Sequence, residues 1–105
     1  MQEVFMSGNP QRSHHEFDPV FRALADSTRR DVLRVVTNEE LSVMEVVHRM
    51  RQEASRSAVS RHLAILREAG LVEEEPGFHK QLKMQLASKR RIEEAFASLL
   101  RMWDR

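Results

Sequence analysis

Between Ser55 and Leu86 the spacing of apolar residues changes from that of a helix to that of a strand, and the change falls at a single glycine. Val59, Leu63 and Leu66 recur every three or four residues, as they would along one face of a helix. Ser55 stands where an N-cap belongs, and Gly70 is placed to end the segment as a left-handed stop. Beyond it, residues 71–75 and 80–86 flank Pro76-Gly77, and Leu82, Met84 and Leu86 alternate with Lys83 and Gln85. That alternation predicts a two-stranded hairpin. A capped helix that runs directly into a hairpin leaves few folds open.

The segments before it narrow the choice further. Asp18-Pro19 predicts a helix start with Asp18 as N-cap and Pro19 at the first helical position, where a missing N–H costs nothing. This helix is expected to reach about Ala25, with Phe17, Val20, Phe21 and Leu24 on its apolar side. Asp26 is placed to cap a second helix over 27–37, burying Val32, Leu33, Val35 and Val36. Ser42-Val43-Met44-Glu45 matches a capping box that opens a third helix to about Met50, and residues 51–54 supply a turn into the helix that Ser55 caps. After the hairpin, Ser88 begins a last helix with Ile92, Phe96, Leu99 and Trp103 on one stripe. The expected fold is mainly α with a small β-hairpin wing, ordered helix, helix, helix-turn-helix, hairpin, helix. Residues 1–16 lack helical periodicity and read as a flexible N-terminal arm, and residues 17–105 as one domain.

Bulk properties exclude several classes. At 105 residues there is room for one core. No apolar run has the length of a membrane span and no signal segment opens the chain, so a cytoplasmic address is expected. With no cysteine, the chain has no disulfide, thiolate metal site or thiol switch. No nucleophile–base set, glycine-rich phosphate loop or paired carboxylate stands in a plausible pocket, so no enzyme and no cofactor is expected. His14 and His15 in the arm lack further ligands nearby for a metal.

A winged helix-turn-helix places the second helix of its pair in a major groove and the hairpin tip on the neighbouring backbone. At about 100° per residue, Ser57, Ser60, Arg61, Ala64 and Glu68 lie opposite the apolar sector of that helix. Arginine can bond guanine bidentately, serine can bond several bases, and Ala64 can touch a thymine methyl. Arg56 and Arg67 border this face and are candidates for phosphate, as are His79 and Lys80 on the wing. From Arg49 to Arg67 there are five arginines against one acid, Glu53, and from Lys80 to Arg91 five positive residues and no acid. Such stretches neutralise phosphates, although arginines on an exposed helix can also be simply solvated. His62 lies on the flank of the buried sector, which leaves a structural hydrogen bond and a DNA contact both open.

Phe21-Arg22-Ala23-Leu24-Ala25-Asp26-Ser27-Thr28-Arg29-Arg30 and Ser57-Ala58-Val59-Ser60-Arg61-His62-Leu63-Ala64-Ile65-Leu66-Arg67-Glu68-Ala69-Gly70-Leu71-Val72 closely resemble the ArsR/SmtB family of bacterial repressors. The resemblance covers about residues 17–105. It implies a homodimer built on the first and last helices, here through Phe17, Phe21, Leu24, Ile92, Phe96, Leu99 and Trp103. It also implies binding to an inverted-repeat operator in double-stranded DNA, including the protein's own promoter, with Ser57, Ser60, Arg61 and His62 in the DNA-reading segment.

Three departures stand out. The family's thiolate metal motif is replaced by Leu41-Ser42-Val43-Met44-Glu45-Val46, and a serine with a thioether cannot replace two thiolates around a soft ion. No histidine follows His79, so the second metal site of the family is also missing, and the chain resembles the non-metal branch. The turn before Ser55 is about two residues longer than usual. Glu73-Glu74-Glu75 puts three acids on the first wing strand, where the family often has basic residues. This triplet supports a rival reading: a winged-helix interaction module, or an antitoxin-like partner of a basic protein, because fold alone does not fix function. An inducer is left open.

Overall fold

The computed structural model describes residues 15–77 and 83–103. Along the chain follow α1 (Asp18–Leu24), α2 (Ser27–Asn38), β1 (Leu41–Ser42), α3 (Val43–Met50), α4 (Arg56–Glu68), β2 (Val72–Pro76), β3 (Lys83–Ala87) and α5 (Lys89–Leu100), ended by one 3₁₀ turn, Arg101–Trp103. The mainly helical order with an antiparallel wing is the one the sequence predicts.

Most helix starts form for the reasons expected. The Asp26 carboxylate accepts from the Arg29 amide at 2.9 Å. Ser42 Oγ accepts from the Glu45 amide at 3.2 Å while Glu45 Oε1 accepts from the Ser42 amide at 2.8 Å, a complete capping box. Ser55 Oγ accepts from the Ala58 amide at 3.2 Å. At α1 the boundary moves by one residue: Phe17 is the N-cap and Asp18 already lies in the first turn. There the Asp18 carboxylate sits near the positive end of the helix dipole and 3.0 Å from His15 Nδ1. Ser88 occupies the N-cap of α5 but makes no side-chain cap.

The end of α4 is a Schellman motif. The Leu71 amide donates to the Leu66 carbonyl at 2.9 Å, the Gly70 amide to the Arg67 carbonyl at 3.0 Å, and Gly70 has φ 78°. Leu66 and Leu71 are both fully buried, which supplies the apolar contact that accompanies the motif. This stop aims the chain into β2. The Ser88 amide then donates to the Leu71 carbonyl at 2.7 Å and closes the base of the wing.

The core is one cluster drawn from every helix: Val20 and Ala23 of α1, Val32, Leu33 and Val36 of α2, Val46 and Met50 of α3, Val59, Leu63 and Leu66 of α4, and Ala95 of α5. Leu41, Leu71 and Val72 close it on the sheet side. Two features of the sheet differ from expectation. A third strand is present, because β1 pairs with β3 (Leu41↔Gln85, Ser42↔Met84) and the strand order is β1-β3-β2. In addition, the buried residue at the centre of β3 is Gln85, whereas Met84 and Leu86 on the opposite face are only half-buried. Gln85 is paired with Leu41 on one side and Glu74 on the other, so all three share the inner face. Leu82 lies outside the described residues.

Candidate nucleic-acid interface

Three apolar residues anchor α4 from behind. Val59, Leu63 and Leu66 are all fully buried, whereas Arg56, Ser57, Ser60, Arg61 and Glu68 are exposed and Ala64 is half-buried. The helical period therefore turns a polar, hydroxyl-rich and cationic strip outward at the N-terminal half of the helix. Ser55 and Ser57 hydroxyls stand 3.4 Å apart at its start. Among the described residues Arg51, Arg56 and Arg61 make no ion pair, so their charge is directed to solvent or to a polyanion. Arg49 is instead bound to Glu39 at 3.0 Å.

Arg67 does not extend to the phosphate position expected for it. Its Nη1 donates to Gln85 Oε1 at 2.9 Å, Gln85 Nε2 donates to Glu74 Oε2 at 3.2 Å, and the guanidinium lies 3.6 Å from Glu74. The guanidinium is thus turned towards the wing, and one of the three wing acids is its internal counter-charge. Glu73 and Glu75 pair with Leu86 and Met84, which puts them on the sheet face opposite Glu74. The signal available in the sequence was a glutamine at the middle of an otherwise apolar strand centre, opposite an acid one strand away.

His62 is also placed away from the outer face. It is 5% exposed, and its Nδ1 accepts from Arg29 Nε at 3.3 Å. Burial, and then the charge of Arg29, hold its pKa below the ordinary value of 6.5, with Arg61 acting in the same direction and Asp26 against them. The surroundings thus disfavour the charged imidazolium, and the side chain is bound within the chain by Arg29. Arg29 is a residue that sequence reasoning missed. Its Nη1 lies 3.4 and 3.3 Å from the Arg22 and Ala23 carbonyls, and Arg30 Nη1 donates to the Leu24 carbonyl at 2.7 Å. Two arginines one turn beyond a helix end, where bare carbonyls need donors, were the available signal.

The first helix, α1, packs against both α4 and α5. Phe21 and Phe96 meet edge to face with centroids 5.7 Å apart, and the Arg91 guanidinium lies 4.6 Å from the centre of the Phe17 ring. Phe17 is buried by its own chain, and Phe21, Leu24 and Ile92 are half-buried against its own core. All four thus contact the core of their own chain, and Phe21, Leu24 and Ile92 keep part of their surface uncovered. Phe96, Leu99 and Trp103 are exposed, as are Leu100 at 57% and Met102, with Trp103 reaching 73%. His79 and Lys80 lie outside the described residues.

A helix-turn-helix whose second helix offers a free polar and cationic face, followed by an antiparallel wing, defines the winged helix-turn-helix class. Residues 24–75 match the family described as a helix-turn-helix domain. The chain has the winged helix-turn-helix fold and is similar over part of its length to ArsR-type regulators. Over 54 residues, 50% of this chain, it is 46% identical to the arsenic resistance transcriptional regulator ArsR1 of Pseudomonas putida, of which the match spans only 41%. An ArsR-like transcriptional regulator from Rhodococcus sp. RHA1 superposes with a TM-score of 0.78 at 27% identity, over 88% of this chain and 86% of that one. The homodimeric winged helix-turn-helix DNA-binding domain Mb0332 of Mycobacterium bovis shares the fold with a TM-score of 0.71 at 19% identity, over 97% of this chain and 91% of that one.

Proposed function

We propose that this chain is a homodimeric transcriptional repressor that binds an inverted-repeat operator, its own promoter included, with α4 of each protomer in successive major grooves. The observation that carries this reading is the outer face of α4, where Ser57, Ser60 and Arg61 stand free while Val59, Leu63 and Leu66 are wholly buried. Arg61 and the serines read base edges, and Arg56 holds phosphate. The wing tip, with His79 and Lys80, reaches the adjacent backbone. Arg67 and His62 are left out of the contact set because both side chains are bound within the chain.

Dimerisation is supported by the uncovered apolar end of α5, where Phe96, Leu99, Leu100, Met102 and Trp103 are exposed, and by the homodimeric state named for the Mycobacterium bovis domain. A second copy placed against this end covers the largest exposed apolar side chains. The reaction class is binding alone, without catalysis or cofactor. The arsenic of the Pseudomonas relative is not carried over, since this chain has no cysteine to supply a thiolate.

A mobility-shift titration against DNA upstream of the coding region, at two salt concentrations, tests the reading. Wild type is expected to retain that DNA over competitor, with affinity falling as salt rises. Arg61→Ala is expected to lose about 1–3 kcal/mol on the specific site only. Retention of no DNA above competitor would favour a protein-docking role instead.

A further inference from the structure

Arg29 joins three elements with one guanidinium. It reaches the Arg22 and Ala23 carbonyls at the end of α1, lies 3.9 Å from the Asp26 carboxylate at the start of α2, and donates Nε–H to His62 Nδ1 on α4. Its side chain is only 13% exposed. Val59, Leu63 and Leu66 oppose both the lifting of α4 out of the core and any large rotation, which would expose them. Apolar burial is non-directional, however, and leaves a small rotation of α4 to be set by polar contacts. A directional hydrogen bond from its flank resists that rotation. His62 is also next in sequence to Arg61, so any rotation that breaks the bond moves the outward arginine.

We propose that the Arg29–His62 hydrogen bond is the positioning contact that sets the rotation of α4 against the α1–α2 corner, and that protonation of His62 releases it. The functional consequence rests on the DNA-binding reading above. The bond uses the lone pair of Nδ1, which leaves the single ring proton of neutral His62 on Nε2. A second proton can only add at Nδ1. That converts the acceptor into a donor facing another donor, and brings an imidazolium against the Arg29 guanidinium with Arg61 alongside. Among the described residues Asp26 is the acid that acts on the group in the opposite sense. Charge repulsion and the lost bond then act together, and α4 turns to relieve both. His62 and Arg29 are positioning residues in this account, since neither side chain reaches the outer face.

Three proteins separate this role from simple packing. His62→Asn offers an amide oxygen near the Nδ1 position and cannot titrate, whereas His62→Leu fills the site and accepts nothing. Each is compared with wild type for binding to the upstream DNA from about pH 7.5 downward through the folded-state His62 titration. That titration lies below the free histidine value and is located by the imidazole proton shifts, with far-UV circular dichroism as the check on folding. Wild type should weaken on acidification on the order of tenfold more than His62→Asn does, the scale of one hydrogen bond to a charged group. His62→Leu should be weaker than wild type already at the higher pH and show no additional acid loss.

A second measurement needs no DNA. Backbone amide shifts of residues 56–61 in labelled protein should follow the His62 titration in wild type and stay still in His62→Asn. Flat amide shifts through the His62 titration, or identical acid losses in wild type and His62→Asn, would overturn the proposal. Moving amides in a protein that retains no DNA would sustain the positioning contact and overturn the repressor reading alone.

Discussion

Replacing Gln85 with leucine is the sharpest test of how the wing is held. Gln85 is fully buried, accepts from Arg67 at 2.9 Å and donates to Glu74 at 3.2 Å. Leucine of similar volume keeps the packing but removes both bonds, each of them to a charged group and so worth about 1.5–3 kcal/mol net. Arg67 and Glu74 are 32% and 34% exposed, so water recovers part of that loss, and they remain 3.6 Å from each other. Leucine adds apolar burial in return. The balance is a loss of about 2–3 kcal/mol in a domain whose whole stability is about 5–15 kcal/mol. At about 4–8 °C per kcal/mol for a domain of this size, the midpoint should fall by roughly 10–20 °C.

Thermal and urea unfolding followed by circular dichroism measure this directly. The double-mutant cycle with Glu74→Gln should return a coupling of about 1 kcal/mol, because the two residues share one network. A Gln85→Leu protein within about 0.5 kcal/mol of wild type, the range of an ordinary surface change, would refute the argument that this polar chain holds the wing to α4.

Other consequences follow from the same geometry. Arg56→Ala should flatten the dependence of operator affinity on salt by about one phosphate contact, a change of about 0.9 in the logarithmic slope. Arg67→Ala should leave that slope unchanged and lower the unfolding midpoint instead. Stability should also depend on pH through His62. Its folded-state pKa lies below the unfolded value of 6.5, so the unfolded chain takes up the proton first as pH falls. The full contribution is present above that value and is lost as pH drops through it towards the folded-state pKa. Urea midpoints measured from about pH 8 to about pH 5 should fall in wild type and change less in His62→Asn. Trp103→Glu puts a charge on the most exposed apolar side chain of the α5 end, and sedimentation velocity should report a shift from dimer to monomer with the fold intact.

Much of the architecture was decided locally and so was legible in the chain itself. Ser42 with Glu45, Ser55, Asp26 and Gly70 act within four or five residues of where they stand, and each produced the cap or stop that its type and spacing imply. The two sides of α4 were equally legible, because Val59, Leu63 and Leu66 repeat at the helical period and leave Ser57, Ser60 and Arg61 no direction but outward. What remained hidden depends on partners distant in sequence. Two residues, Leu41 and Ser42, carry no strand pattern of their own and become β1 only because β3 lies beside them.

Alternation in β3 revealed that it has two faces but not which one is covered, and a polar residue took the covered side because Arg67 and Glu74 were there to satisfy it. The same holds for His62 and Phe17. Whether a flank residue bonds to Arg29 or faces DNA, and whether a ring lies under Arg91 or against a second copy, depends on how helices cross. Period and capping constrain a helix along its axis. Only packing sets where its flanks meet the rest of the molecule, since a buried polar side chain is stable only where folding brings it a partner.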